Sequence, residues 1–415
     1  MSAIAGRQIA MSPGRAVLLT VCVLGNLCLQ MYAINHPDFT PHAWHVFVAY
    51  TIITWAGCLT VCFGNKILPH MNSIGIFFIM AGVFITIVVC AVMPGRGGRP
   101  AHTTSAFVWT EWSAAIGYPN GFVFVAGMLN GAYAVGTPDC VAHLAEEISH
   151  PERNVPKAIF LQMILGFITG SAYLVTIMYA INDYNALFTS VFPIAAIYQQ
   201  ATGSAAGATG LLCLILFPIL LAVTGVYITC GRTLWTLARD RATPFPHLLG
   251  KVSPTLRMPF YASITCGCVV TILGCIYVGS TIAFNAFVGS FVLFSTASYT
   301  AAILPNLLTR RKNIIYGPFH LKGALGFILN FIACAYMMVW FVIYCFPYSL
   351  PTTAASMNYA CLMFGGLTIL ITVWWFVGAR TGYEGPKTMG GITPGVDDVK
   401  RPSVSDVYMA WKCDV

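Results

Sequence analysis

The sequence predicts an all-α fold, a polytopic membrane protein of about ten transmembrane helices and not a soluble domain. Three observations predict it. Of the 415 residues only 8% are charged while 58% are apolar or aromatic, and the mean hydropathy is +0.77, a balance that suits the bilayer as solvent. The apolar residues gather in stretches near the ~20 residues that a helix needs to cross a hydrocarbon core of about 30 Å. The basic residues between those stretches alternate as an even number of crossings requires.

In chain order the predicted spans run from Ala16 to Ile34, Val46 to Phe63, Leu68 to Met93, Gly121 to Ile148, Ala158 to Ile181, Gly207 to Leu237, Tyr261 to Val278, Ile282 to Pro305, Leu325 to Phe346 and Tyr359 to Val377. The seventh and eighth are joined only by Gly279, Ser280 and Thr281, a tight hairpin. Between the fifth and sixth, Ala186 to Thr202 is moderately apolar, interrupted by Pro193 and too short to cross, so it reads as an outer helix over a vestibule. Residues 1–15 read as a cytosolic segment, 16–380 as the transmembrane domain and 381–415 as an unpatterned cytosolic tail. Met1 to Gly14 lacks the apolar core and small-residue cleavage site of a signal peptide.

With the N-terminus in the cytosol, 19 of the 21 basic residues fall on the inner side, and only Arg96 and Arg99 lie outside, after the third span. Both termini are then cytosolic. The formal charge of +8 is thus a topology signal; the cations form no stripe and predict no nucleic-acid partner. Most of the fifteen cysteines, Cys22, Cys58, Cys213, Cys266, Cys275, Cys334 and Cys361 among them, sit inside apolar runs, where cysteine acts as a small hydrophobe. No disulfide framework, metal site or cofactor is expected. The sequence holds no G-x-x-x-x-G-K-[ST] loop for ATP and no H-E-x-x-H or G-x-S-x-G motif, so no catalytic residue is assigned.

The fourth span carries the informative segment, Asn130-Gly131-Ala132-Tyr133-Ala134-Val135-Gly136-Thr137-Pro138-Asp139 and on to His143, Glu146 and Glu147. Thr137 as N-cap, Pro138 at the first helical position and Asp139 in the first turn spell a helix start in mid-membrane. Gly136 permits the backbone to leave helical geometry, so the span reads as two half-helices, the bland alternative being a proline kink. Such a break is tolerated where the freed peptide groups face a cavity or a substrate. On an α-helix Asp139, His143 and Glu146 or Glu147 share one face and are candidates for proton relay or gating. Each has a plainer reading: Asp139 as a dipole cap, His143 as a satisfied polar residue, the two glutamates as partners of inner-loop cations. Pro156, under an Asn154 or Val155 cap, is expected to open the next span. Thr224 in the sixth span and Asn285 in the eighth are polar at membrane depth, facing either the cavity or a neighbouring helix.

Gly136-Thr137-Pro138-Asp139 with His143-Leu144-Ala145-Glu146-Glu147, then Pro151-Glu152-Arg153-Asn154-Val155-Pro156-Lys157-Ala158, closely resembles the sixth membrane helix and following loop of the amino acid/polyamine/organocation superfamily. The resemblance is nearest to the fungal amino acid and choline permeases. The first three spans, including Asn35-His36-Pro37 and Leu68-Pro69, resemble that family's third to fifth helices, and the likeness runs through nearly the whole chain. It implies secondary active uptake, across the plasma membrane, of a small amino or quaternary-ammonium compound such as an amino acid, GABA or choline, with the proton as coupling ion. It implies binding around Tyr133, Ala134, Val135, Gly136 and Thr137, with Tyr133 either a cation–π contact or an ordinary packing aromatic. It also implies two helices ahead of this region, the first itself broken. The expectation is therefore an incomplete inverted-repeat, LeuT-like fold that carries no substrate by itself, and the alternative function is that of a truncated, non-transporting membrane relative.

Overall fold

The computed structural model describes residues 2–36, 38–64, 66–112, 114, 116–134, 138–145, 148–190, 192–256, 258–311, 317–321, 323–354, 356–379 and 382–383. Among these the regular structure is helical apart from one isolated bridge between Ser253 and Met258. The helices are α1 (Ser2–Asn35), α2 (Ala43–Phe63), α3 (Leu68–Val92), α4 (Ser105–Trp109), α5 (Asn120–Ala134), a 3₁₀ helix (Pro138–Leu144), α6 (Pro151–Ala180), α7 (Tyr184–Thr189) and α8 (Pro193–Thr202). There follow α9 (Ala205–Arg239), α10 (Pro246–Leu249), α11 (Phe260–Gly279), α12 (Thr281–Leu308), α13 (Gly323–Ile343), α14 (Ala360–Trp374) and a π-helical turn (Trp375–Ala379). Nine helices among the described residues are long and apolar enough to cross a membrane. The predicted fourth span is divided between α5 and the 3₁₀ helix and is not one of the nine.

Seven of the predicted spans match a helix to within three residues at both ends. Two depart. The backbone of α1 continues back to Ser2 through a segment rich in the helix formers Ala3, Ala5, Ala10 and Met11. Likewise α6 begins at Pro151 and not at Pro156, because Pro151 occupies the first helical position behind His150, whose φ is 49°. Pro156 then sits inside α6 at its sixth position, where its missing N–H leaves the Glu152 carbonyl without its intrahelical donor.

The core forms around α1, whose Val17, Leu18, Val21, Leu24 and Leu27 are at most 1% exposed and recur at helical spacing. Against it pack α9, α12 and α2, while α11 lies on α2 and α9, and α3 on α9 and α6. Glycines set how closely these helices approach. A Cβ at Gly57 would lie 2.7 Å from the Val223 methyl and 3.4 Å from the Tyr227 ring, and one at Gly274 would overlap the Tyr50 ring. The Tyr50 hydroxyl then donates to the Val270 carbonyl at 2.7 Å. Large side chains left exposed, such as Phe77 and Phe167, lie on the outside of spanning helices, where lipid is their solvent.

The expected outer helix is two helices, α7 and α8. Asp183 caps the first by accepting from the Asn185 and Ala186 amides at 3.0 and 3.2 Å, and Pro193 opens the second. The Gln200 side chain fixes their base, accepting from the Asn182 and Asp183 amides and donating to the Asp183 carbonyl. Arg99 donates to the Thr202 carbonyl at 2.6 Å, placing its cation at the C-terminus of α8.

Candidate substrate site

α5 ends at Ala134 and helical structure resumes at Pro138, the residue expected to begin a second half-helix. Val135, Gly136 and Thr137, which the sequence reading placed at the break, lie outside the described residues, as do Glu146 and Glu147. The second half differs from the expected α-helix. Pro138–Leu144 is a 3₁₀ helix seven residues long, beyond the usual 3–4. With three residues per turn, positions four apart are displaced by about 120°, so 139 and 143 do not share a face and position 140 aligns with 143. The α-helical spacing from which the relay stripe was read thus does not apply to residues 138–144, and Glu146 and Glu147 of that stripe lie outside the described residues. His143 is half-buried on this segment, which packs on α6 and α9.

Tyr133 reaches from the last turn of α5 to the middle of α12. Its hydroxyl donates to the carbonyls of Val288 and Gly289 at 3.4 and 3.3 Å, long bonds to oxygens that already serve the helix, and its ring stacks on Phe291 at 6.3 Å and 20°. Tyr348 approaches the same place from the loop after α13: its hydroxyl would lie 2.9 Å from a Cβ at Gly289, so glycine is what admits it. Burial pushes the Tyr348 phenol above its ordinary value, and it meets α12 as a neutral group. Nothing in the spacing of the sequence pointed to Gly289, Phe291 or Tyr348; only their meeting with Tyr133 does.

The other candidates do not converge on Tyr133. Ala134 is exposed. Thr224 is 3% exposed and donates to the Leu221 carbonyl of its own helix at 2.7 Å. Asn285 lies on an exposed position of α12, one turn before the carbonyls that Tyr133 reaches. Thus the site as described is the end of α5, its two tyrosines and the mid-section of α12, beside a change of helix type.

Comparison with known proteins decides what this arrangement belongs to. The family described as "Amino acid permease" matches residues 16–367. The chain belongs to that family. The permease is 32% identical over 349 residues to the choline transporter of Saccharomyces cerevisiae, an overlap of 83% of this chain and 61% of that protein. It is 29% identical over 366 residues to a transmembrane transporter of Metarhizium robertsii, 87% of this chain and 72% of the relative. It is 24% identical over 384 residues to the 7-keto 8-aminopelargonic acid transporter of Saccharomyces cerevisiae, 86% and 68% of the two chains. The permease thus spans less than two thirds of the choline transporter's length. Its family and these relatives are membrane transporters, not enzymes, and the relatives are fungal.

Proposed function

We propose that this permease takes part in the secondary active, proton-driven uptake of a small amino compound, an amino acid, GABA or choline, across the plasma membrane, with both termini cytosolic. The observation that carries the reading is the change of helix type between Ala134 and Pro138 in a chain of continuous spanning helices. An interruption there supports transport because free carbonyls at the end of α5 suit an ammonium group, and free amides at the start of the next segment suit a carboxylate. Asp139, His143, Glu146 and Glu147 are proposed for relay or gating singly and not as one face. Val135, Gly136 and Thr137 supply the backbone at the break, and Tyr133 stands at its rim.

Uptake of labelled choline, GABA and amino acids by cells lacking their own permeases tests the reading. Saturable uptake that rises as outside pH falls is expected, and Gly136→Val is expected to remove it while the protein still reaches the membrane, since a β-branched side chain penalises the open backbone. Uptake kinetics unchanged by Gly136→Val would reduce the segment to a structural kink. The orientation rests on the 19 basic residues of one side. A cysteine introduced at Lys251 should resist an impermeant thiol reagent applied to intact cells, and labelling from outside would reverse the topology.

A further inference from the structure

At one end of α2 and α11 the structure forms a groove of about 460 Å³ that plays no part in the site above. Its walls are Phe63, Phe260 and Tyr261 on one side and the turn from Lys251 to Leu256 on the other. Phe63 is the last residue of α2 and Phe260 the first of α11, helices of 21 and 20 residues. Both therefore end where a ~30 Å hydrocarbon core gives way to headgroups. Phe63 and Tyr261 are 66% and 45% exposed, so the apolar wall opens to lipid. Aromatic side chains at that depth form the interfacial belt of membrane proteins.

The opposite rim is rigid. The Ser253 amide donates to the Met258 carbonyl at 2.9 Å and the Lys251 amide to the Leu248 carbonyl at 3.3 Å. Trp235 of α9 anchors the start of this rim, its indole N–H donating to the Gly250 carbonyl at 3.0 Å. Lys251 is exposed at this fixed edge. It is the one charged side chain among the described residues lining the groove. Phe245 and Leu248, just ahead of it, are 77% and 47% exposed, so this connection presents apolar groups toward the bilayer with a cation at its rim.

From these features we propose that the groove binds an anionic phospholipid of the leaflet it faces, with the phosphate at Lys251 and the upper acyl chain along Phe63, Phe260 and Tyr261. The long apolar stem of lysine runs with the acyl region while its ammonium stays at the headgroup level, which is how one residue serves both parts of the ligand. An anionic headgroup meets one cation and no opposing charge, whereas a zwitterionic one brings its own ammonium toward Lys251.

Native mass spectrometry of the purified full chain, equilibrated with equal amounts of phosphatidylserine and phosphatidylcholine, tests the assignment. The most firmly held lipid is expected to be phosphatidylserine by about fivefold, the ratio that corresponds to the ~1 kcal/mol of one lysine at a membrane surface. Lys251→Gln should bring the ratio close to one, and Lys251→Arg should preserve it. Because Lys251 is exposed on a turn held by backbone bonds, both variants should elute as the parent does. A ratio near one in the parent, or a preference untouched by Lys251→Gln, would overturn the proposal. Release of the lipid by inorganic phosphate alone would also overturn it, by assigning the site to a free anion.

Discussion

The helices around α1 and the helix α5 are similarly apolar by composition and are used in opposite ways. α9 has eleven buried residues and α2 eight, while α5 has none among its fifteen. Glycine shows the contrast most directly. In the core, Gly57 and Gly274 are notches filled by Val223, Tyr227 and Tyr50, whereas a Cβ at Gly121, Gly127 or Gly131 of α5 would meet nothing within 4 Å. Close packing fixes one arrangement of helices, because displacing a filled notch loses many small contacts together. A helix without buried residues is held by few such contacts, and that is the part of the chain where the proposed site lies. The difference teaches that the two walls of the site are unlike: α12 belongs to the packed scaffold around α1, while α5, which meets it through Tyr133, has no buried residue.

The sharpest way to break the comparison is to add the same volume to both regions. Gly274→Val places methyl groups in the Tyr50 ring and should destabilise the protein by about 1–3 kcal/mol, the usual cost of overpacking. Gly127→Val in α5 should change stability by less than about 1 kcal/mol. Thermal unfolding in detergent measures both, and equal losses would show that α5 is as tightly held as the core.

Within the core, two buried tyrosines sharpen the picture. Tyr50 has a carbonyl acceptor at 2.7 Å, while the hydroxyl of Tyr227 is fully buried and among the described residues has only the Thr54 hydroxyl as a neighbour that could bond it, with no hydrogen bond formed. Tyr50→Phe should therefore cost about 1 kcal/mol, and Tyr227→Phe should be neutral or stabilising, since it removes a polar group that burial penalises. A loss at Tyr227→Phe as large as that at Tyr50→Phe would reveal a polar partner for it.

The smallest effect is expected at the rim of the site. Tyr133→Phe keeps the ring on Phe291 and removes only two long hydrogen bonds, so stability should fall by less than ~1 kcal/mol. In a chain that carries a quaternary ammonium compound, Tyr133→Phe should leave KM nearly unchanged, and Tyr133→Leu should raise it about fivefold, the loss of a ~1 kcal/mol cation–π contact. Equal KM values for the two variants would make Tyr133 a packing residue only.

Much of this was legible without coordinates, and the parts that were not share a cause. The apolar stretches located α2, α3, α9 and α11 to α14 to within three residues, because a spanning helix must satisfy every backbone group by itself and so announces itself by length and hydropathy. Pro138 marked the start of a new helical segment, since a fixed φ and a missing N–H are properties of a single residue. Whether the chain resumed as α or 3₁₀ was not legible: a difference of 0.6 residues per turn depends on how the segment packs against α6 and α9.

What the sequence by itself determined, then, is which segments form helices long and apolar enough to cross a membrane, and that a new helical segment begins at Pro138. Only the tertiary structure decided that α1 is the core helix, that Gly274 receives Tyr50, that Tyr133 ends on Gly289 and Phe291, and that Phe63 meets Phe260 across the foot of a groove. Crossing a bilayer is settled segment by segment, by the solvation of one helix's own groups. Contacts between residues more than a hundred positions apart are settled by the complementary volumes of two surfaces, and no local pattern in either segment records its partner's shape.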